Sequence, residues 1–138
     1  MDSISTSTLF AALAVLLLSS AFFSASETAM MAINRYRLRH AAESGVRGAM
    51  RTQALLDQTD KLLGVILLGN NLVNSASATL SAVLAIRLFG DGEMVLFVAT
   101  LLLTFLILVF SEVTPKVLGA SFPERVAYPA TLLLTPLL

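Results

Sequence analysis

Cysteine is absent from this chain, and charged side chains are scarce. Without cysteine the protein has no disulfide bonds, no thiolate metal ligands and no cysteine nucleophile. Only 13% of its residues are charged whereas 57% are hydrophobic, and the mean hydropathy is +0.84. These values lie outside the range of soluble globular proteins and predict a membrane protein. The nine basic and nine acidic residues cancel, so the charge balance does not suggest nucleic acid as a partner.

Three stretches lack charged residues over the length needed to cross a bilayer. They hold 24, 25 and 18 uncharged residues in turn, and a spanning helix needs about 17–25. We therefore expect an all-α integral membrane protein, one domain over residues 1–138, with spans at about residues 4–30, 62–86 and 94–112. A further apolar run, 126–138, has 13 residues and two prolines. This run is too short to span, and it is interpreted as a truncated fourth span, a re-entrant piece or an interfacial helix.

The basic residues are unevenly distributed between the connecting segments. Six of the nine lie at positions 33–61, between the first two spans. Because cytoplasmic loops are enriched in Lys and Arg, we expect this linker to be cytoplasmic and the N-terminus to be outside. An N-cap candidate at Asn34 and glycines at positions 45 and 48 predict one or two short helices in the linker. No Lys or Arg precedes the long first apolar run, which argues against a cleaved signal peptide.

The first span carries polar residues in the half predicted to be cytoplasmic. At 100° per residue, Ser20, Ser24 and Glu27 share one narrow helix face. Serines alone are better explained by close helix packing, but a carboxylate contributes nothing to such packing. Because polar groups in hydrocarbon usually face protein, water or a ligand, Glu27 favours a functional face.

The second span contains a polar stripe with i, i+4, i+7, i+11 spacing, formed by Asn70, Asn74, Ser77 and Ser81. Interhelical hydrogen bonds, worth roughly 0.6–2 kcal/mol each, are one explanation. A ligand-lined cavity is the other, and three asparagines within five residues favour it. Asparagine and serine supply neutral oxygen ligands, which suit hard cations such as Mg²⁺, Ca²⁺ or Na⁺.

The third span ends at Glu112, shortly before a proline. Pro115 lacks a backbone donor and disfavours helix at the preceding residue, so we expect the helix to break or kink there. Carbonyl groups freed at a break attract cations, as in transporters with broken helices. The alternative is an ordinary helix end with Glu112 at the lipid boundary. Lys116 is expected to pair with Glu27 or Glu112, or to lie in the interface.

The sequence gives no support for an enzyme. It contains no nucleophile–base arrangement and no glycine loop suited to phosphate. The single histidine, His40, lies in the basic linker and is interpreted as a solvated helix residue rather than a ligand.

Three short stretches occur in order, one on each predicted span: residues 20–29 (SAFFSASETA), 69–74 (GNNLVN) and 112–116 (EVTPK). Together with the basic linker, they resemble the transmembrane domain of the CorC/CNNM family of Mg²⁺ transporters. The resemblance covers nearly the whole chain. It implies three spanning helices and a juxtamembrane helical element, here residues 122–138. It also implies a homodimer and cytoplasmic CBS domains, which this chain lacks.

The resemblance further implies export of Mg²⁺ coupled to entry of Na⁺, by alternating access, in the plasma membrane, which for a bacterium is the inner membrane. The implied metal site lies between the three helices and is formed by Ser20, Ser24, Gly69 through its carbonyl, Asn70, Asn74 and Glu112. Glu27, Pro115 and Lys116 are expected to have mechanistic or structural roles.

Two alternative functions remain open at this stage. In the first, the chain is a membrane scaffold or sensor whose polar stripe only joins helices. In the second, it carries another cation or solute, coupled to Na⁺ or protons. Mg²⁺ itself poses a difficulty, because it gives up its water reluctantly. A site of serine and asparagine oxygens therefore needs retained water or additional backbone carbonyls.

Overall fold

The computed structural model describes residues 5–90 and 92–137. These form seven α-helices and one π-helical segment, in the order α1 (Thr6–Ala32), α2 (Arg35–Glu43), α3 (Arg47–Leu56), α4 (Thr59–Phe89), α5 (Glu93–Leu106), the π segment (Ile107–Val113), α6 (Thr114–Ser121) and α7 (Pro123–Leu137). The start of the predicted first span at Ile4 and the end of the juxtamembrane segment at Leu138 lie outside the described residues. So do the charged residues Asp2 and Asp91.

Three helices are long and apolar enough to cross a membrane: Thr6–Ala32, Thr59–Phe89 and Glu93–Ser121. This finding confirms the predicted all-α membrane fold with three spanning helices. The third helix differs from the expectation, because it does not end at Glu112. It passes from α5 through the π segment into α6 and reaches Ser121 without interruption.

Local sequence signals explain where the shorter helices begin and end. The Asn34 side chain accepts a hydrogen bond from the Arg37 backbone N–H at 3.0 Å. Asn34 is therefore the N-cap of α2, as predicted. Gly45 separates α2 from α3 with a φ of 92°, and Gly90 ends α4 with a φ of 94°. Both angles are readily accessible only to glycine.

Helix α1 is the centre of the bundle and packs against α4, α6, α7 and the π segment. It approaches α6 most closely at Gly119, where a Cβ atom would lie 2.6 Å from the Ala25 carbonyl oxygen and 3.2 Å from the Thr28 Cβ. Close approach of two backbones over small residues is typical of helix pairs in membranes. Gly119 thus brings the last part of the third span against the centre of the bundle.

A compact layer forms at the end of the bundle where the basic linker lies. The end of α1, the linker helices, the start of α4 and α7 share one apolar core, whose most deeply buried large side chains are Met30, Leu38, Leu62, Ile66 and Leu134. Two polar contacts also tie α7 to the linker. Arg37 pairs with Glu124 at 3.6 Å, and the Arg51 Nε donates to the Thr131 hydroxyl at 3.0 Å. The C-terminal apolar run thus forms a helix that packs against the linker helices and α1.

Substituting Gly119 by alanine tests the close crossing of α1 and α6. The new methyl group would collide with main-chain atoms of α1, so we expect the free energy of unfolding to fall by about 1–3 kcal/mol. Gly64→Ala in α4 is the matched control, because nothing lies within 4 Å of the added Cβ. That change should leave stability unchanged or raise it slightly, since alanine favours helix. Thermal unfolding followed by circular dichroism in detergent measures both, and equal shifts would contradict the crossing.

Candidate cation site

Polar side chains of α1 and α4 meet about halfway through the bundle. The Ser20 hydroxyl lies 2.9 Å from the Asn70 Oδ1 and 2.8 Å from the Asn74 Oδ1. Ser20 is fully buried, and both asparagines are half-buried. At 1.5 Å per residue, Ser20 and Asn74 lie about 20 Å from either end of their helices, and Asn70 lies one turn closer to the start of α4. The two faces identified in the sequence thus converge at mid-depth.

The Ser20 hydroxyl lies within hydrogen-bond distance of two amide oxygens, but it has only one proton to donate. A hydroxyl has a single proton, so Ser20 donates to only one of the two amide oxygens at a time. Two arrangements relieve the remaining oxygen–oxygen contact. In one, an amide turns so that its NH₂ group donates to Ser20, which makes the cluster an interhelical hydrogen-bond network. In the other, a cation lies among the three oxygens.

Ser24 lies one turn further along the same face of α1. It is fully buried, and its hydroxyl has no hydrogen-bond partner among the described residues. A buried hydroxyl in a helix usually donates to a carbonyl one turn earlier, and an unpaired one is destabilising. Ser24 is therefore a free oxygen beside the Ser20 cluster, available as a ligand.

Gly69 shapes the α4 side of the cluster. A Cβ atom at this position would lie 2.7 Å from the ring of Phe23 on α1. The absence of a side chain at Gly69 leaves room for the tip of that ring against α4, one residue before Asn70. Gly69 therefore allows α1 and α4 to approach closely enough for Ser20 to reach both asparagines.

The third span contributes an irregular backbone instead of the predicted break. Within the π segment each carbonyl accepts from the fifth residue onward, and the Thr114 N–H donates to the Val109 carbonyl. The next carbonyl, that of Phe110, would need the N–H of Pro115, which does not exist. Thr114 is already engaged, so the Phe110 carbonyl lacks its helical donors. The proline therefore frees a carbonyl, as predicted, without ending the helix.

Ser111 anchors this π segment to α1 and was missed as a site residue in the sequence. It is fully buried, and its hydroxyl donates to the Leu17 carbonyl at 3.0 Å. The contact joins the third span to α1 one turn before Ser20. The available sequence signal was a small polar residue directly before Glu112, after the six apolar residues 105–110.

The charged candidates are not part of the oxygen cluster. Glu112 pairs with Lys116, one turn further along the third span, at 3.3 Å. Glu27 is half-buried and forms no hydrogen bond or ion pair with any described residue. The cluster of Ser20 and the two asparagines is therefore neutral, and neither carboxylate makes a contact with it among the described residues.

The remaining members of the α4 stripe have other environments. The buried Ser77 hydroxyl donates to the Val73 carbonyl of its own helix at 2.9 Å. Ser81 lines a cavity of about 170 Å³ between α4 and α5. Asn71, which does not belong to the stripe, is exposed, because it points 100° away from Asn70. Only the first two members of the stripe therefore reach α1.

Within residues 5–90 and 92–137, no three His, Cys, Asp or Glu side chains are grouped closely enough to hold a metal ion. The donor set at the cluster is instead made of hydroxyl and amide oxygens, which suits a hard cation. Together, the fold and the cluster define a class: a helical multi-pass membrane domain with an oxygen-lined polar site at mid-depth.

Comparison with known proteins gives the family. Residues 11–138 match the model of the cyclin M transmembrane N-terminal domain, so the chain belongs to that family. It is 51% identical over 118 residues to the UPF0053 inner membrane protein YfjD of Escherichia coli, covering 86% of this chain and 27% of that protein. It is 46% identical over 138 residues to a UPF0053 protein of Haemophilus influenzae, covering 100% of this chain and 32% of that protein. The chain thus spans about a third or less of the length of these relatives. The resemblance seen in the three sequence stretches is confirmed.

Removing single hydroxyl groups should separate the two serines of α1. Ser20→Ala removes the hydroxyl that joins α1 to the two asparagines of α4, so we expect it to lower the free energy of unfolding by about 0.6–2 kcal/mol. Ser24→Ala removes a buried hydroxyl that has no partner, so stability should stay the same or rise. Thermal unfolding in detergent with a metal chelator compares the two variants. A larger loss for Ser24→Ala would contradict the arrangement of the cluster.

Proposed function

We propose that this chain is the membrane domain of a transporter that moves Mg²⁺ out of the cell in exchange for Na⁺. The observation that carries the proposal is the convergence of the Ser20, Asn70 and Asn74 oxygens at mid-depth, with the free Ser24 hydroxyl beside them. Membership of the cyclin M family, which is associated with divalent cation transport, supports it. We place the protein in the bacterial inner membrane, where the Escherichia coli relative is named.

The chemistry of the cluster restricts the ion and its state. Mg²⁺ requires about six oxygens near 2.1 Å and retains several waters in protein sites. Ser20, Ser24, Asn70 and Asn74 supply at most four side-chain oxygens. We therefore propose a partly hydrated ion whose shell is completed by water and by carbonyl groups such as that of Gly69. Glu112 balances the charge of the ion once its ion pair with Lys116, one helix turn away, has broken.

The position of the cluster suits alternating access. Transport sites of secondary transporters lie near the membrane midplane, next to irregular helices. Here the cluster lies between α1 and α4, and the π segment contacts α1 through Ser111 and Leu17. Such segments store an extra residue per turn and often occur at functional sites. We propose that the π segment shifts against α1 when the site changes its accessible side.

A homodimer is the proposed assembly, and CBS domains are the proposed cytoplasmic partners in a longer protein. Both follow from the family. The two relatives are three or more times longer than the region that this chain matches, so they have room for further domains.

A scaffold or sensor function is the competing proposal, and one observation favours it. Ser20 already has hydrogen-bond partners on α4, so the cluster is able to join helices without any ion. A scaffold predicts that no cation stabilises the protein. The free hydroxyl of Ser24 supports the transporter, because a cation beside Ser20 would give it the partner that the helix contacts do not.

Mg²⁺ binding by neighbouring asparagines distinguishes the two functions. Asn70→Ala removes a proposed ligand, so we expect at least a tenfold loss of Mg²⁺ affinity in titration calorimetry of the purified protein. Ser24→Ala should lose affinity similarly while keeping its stability. Asn71→Ala is the matched control, since Asn71 is exposed on the adjacent position of the same helix. It should bind Mg²⁺ like the unaltered chain.

Other outcomes of these measurements would exclude the proposed site or function. Unchanged affinity in both Asn70→Ala and Ser24→Ala would exclude the proposed ligands. If neither Mg²⁺, Ca²⁺ nor Na⁺ raises the thermal unfolding temperature of the unaltered chain, the scaffold is favoured. Stabilisation by another ion but not by Mg²⁺ would favour a carrier of that ion.

Coupling to Na⁺ is tested by flux through liposomes. An inward Na⁺ gradient should accelerate Mg²⁺ exit from vesicles containing the protein, because exchange links the two movements. Collapsing the Na⁺ gradient with an ionophore should abolish the acceleration. Vesicles with Asn70→Ala protein serve as the inactive control. Mg²⁺ exit that does not depend on Na⁺ would refute the exchange and leave the binding site untouched.

A further inference from the structure

A second polar feature lies on the opposite side of α1 from the cation site. A groove of about 320 Å³ runs between α1 and α7 at the end of the bundle that carries the basic linker. Its walls are mostly apolar, with Phe22, Ala25, Pro129 and Leu133 among them. Two polar residues, Ser26 and Arg125, complete the lining. Such a combination of apolar walls and few polar groups is typical of ligand pockets.

Ser26 is the first indication of a ligand. Its side chain is fully buried, and its hydroxyl has no hydrogen-bond partner among the described residues. On α1 it lies about 120° from Ser20, so it cannot contribute to the cation site. An unpaired buried hydroxyl is unfavourable unless something else accepts its proton. A ligand in the groove would provide that acceptor.

Arg125 is the second indication. Its guanidinium lies 5.4 Å from the centre of the Phe122 ring. The neighbouring carboxylate, Glu124, pairs with Arg37 instead, and Arg125 forms no ion pair within residues 5–90 and 92–137. A cation at the mouth of an apolar groove attracts an anionic head attached to an apolar tail.

The location of the groove identifies the class of occupant. Phe22 and Ser26 lie six to ten residues before the end of α1, about 9–15 Å from it. A helix of 27 residues is about 40 Å long, close to the thickness of a bilayer with its headgroups, so these residues would lie just inside the hydrocarbon boundary. The basic linker beside the groove belongs to the side that the positive-inside rule assigns to the cytoplasm, where the leaflet is anionic.

We propose that this groove binds one anionic phospholipid. An acyl chain lies along the apolar walls, the Ser26 hydroxyl donates to an ester oxygen, and Arg125 pairs with the phosphate. The site does not depend on the proposed transport of Mg²⁺. It would seat a lipid between α7 and α1 and so hold the juxtamembrane helix against the bundle.

Native mass spectrometry of the full chain in detergent tests the charged contact. The probe is an equimolar mixture of dioleoyl phosphatidylglycerol and dioleoyl phosphatidylcholine. We expect the unaltered chain to retain the anionic lipid preferentially and Arg125→Gln to lower that preference about fivefold, the effect of one basic residue at a membrane surface. Arg35→Gln is the matched control, because Arg35 is exposed on α2 away from the groove. An equal effect of both substitutions would overturn the proposal.

Ser26→Ala tests the buried contact independently of charge. We expect it to weaken retention of both lipids severalfold while leaving the headgroup preference intact. Ser19→Ala is its control, since the Ser19 hydroxyl already donates to the Val15 carbonyl at 2.8 Å. Unchanged retention in Ser26→Ala would overturn the role of the hydroxyl.

The same spectra distinguish other occupants. Displacement of the lipid by sn-glycerol 3-phosphate would show that the groove recognises free phosphate, and would overturn a lipid site. A change in the ratio of monomer to dimer in Arg125→Gln, with lipid retention unaltered, would show that a second copy of the chain fills the groove.

Discussion

The Ser20 hydroxyl meets the side-chain oxygens of Asn70 and Asn74 about halfway along α1 and α4, where lipid offers no other hydrogen-bond partner. This contact fixes the register of the two helices, because sliding one past the other would leave three polar groups unpaired in hydrocarbon. The same register places the Phe23 ring against Gly69. The packing of Phe23 and the hydrogen bonds of Ser20 therefore favour the same register of α1 and α4.

The third span depends on that arrangement, since it is attached to α1 on either side of the cluster. Ser111 donates to the Leu17 carbonyl, and Gly119 lies against the main chain at Ala25. Between these two fixed points the chain contains Pro115, which cannot continue an ordinary α-helix without losing a hydrogen bond. Widening to a π-helix accommodates the proline and keeps both contacts. The irregular backbone is thus a consequence of two anchoring points on one neighbouring helix.

The parts of the fold predicted from sequence are those that depend on local periodicity. Span number follows from the uncharged runs, and the facing of Ser20 and Asn70 follows from helical spacing. The π segment was not predictable, because proline alone favours a break, and the Ser111 contact that prevents it joins residues 94 positions apart. Ser26 was missed for a related reason. Its significance depends on α7, whose position against α1 is set by tertiary packing with the linker helices.

Charge is the remaining constraint on a site of this kind. Ser20, Asn70 and Asn74 are neutral, so they compensate only part of the dehydration energy of a divalent ion. Glu112 is the nearest charged group along the third span, and Lys116 holds it at 3.3 Å. For a cation at the cluster to be balanced by that carboxylate, as proposed, the ion pair with Lys116 would have to break, and this change would act on the turn that follows the π segment. Under the proposed function, ion occupancy and the conformation of the third span are therefore linked through a single ion pair, with no need for a signal transmitted over a longer distance.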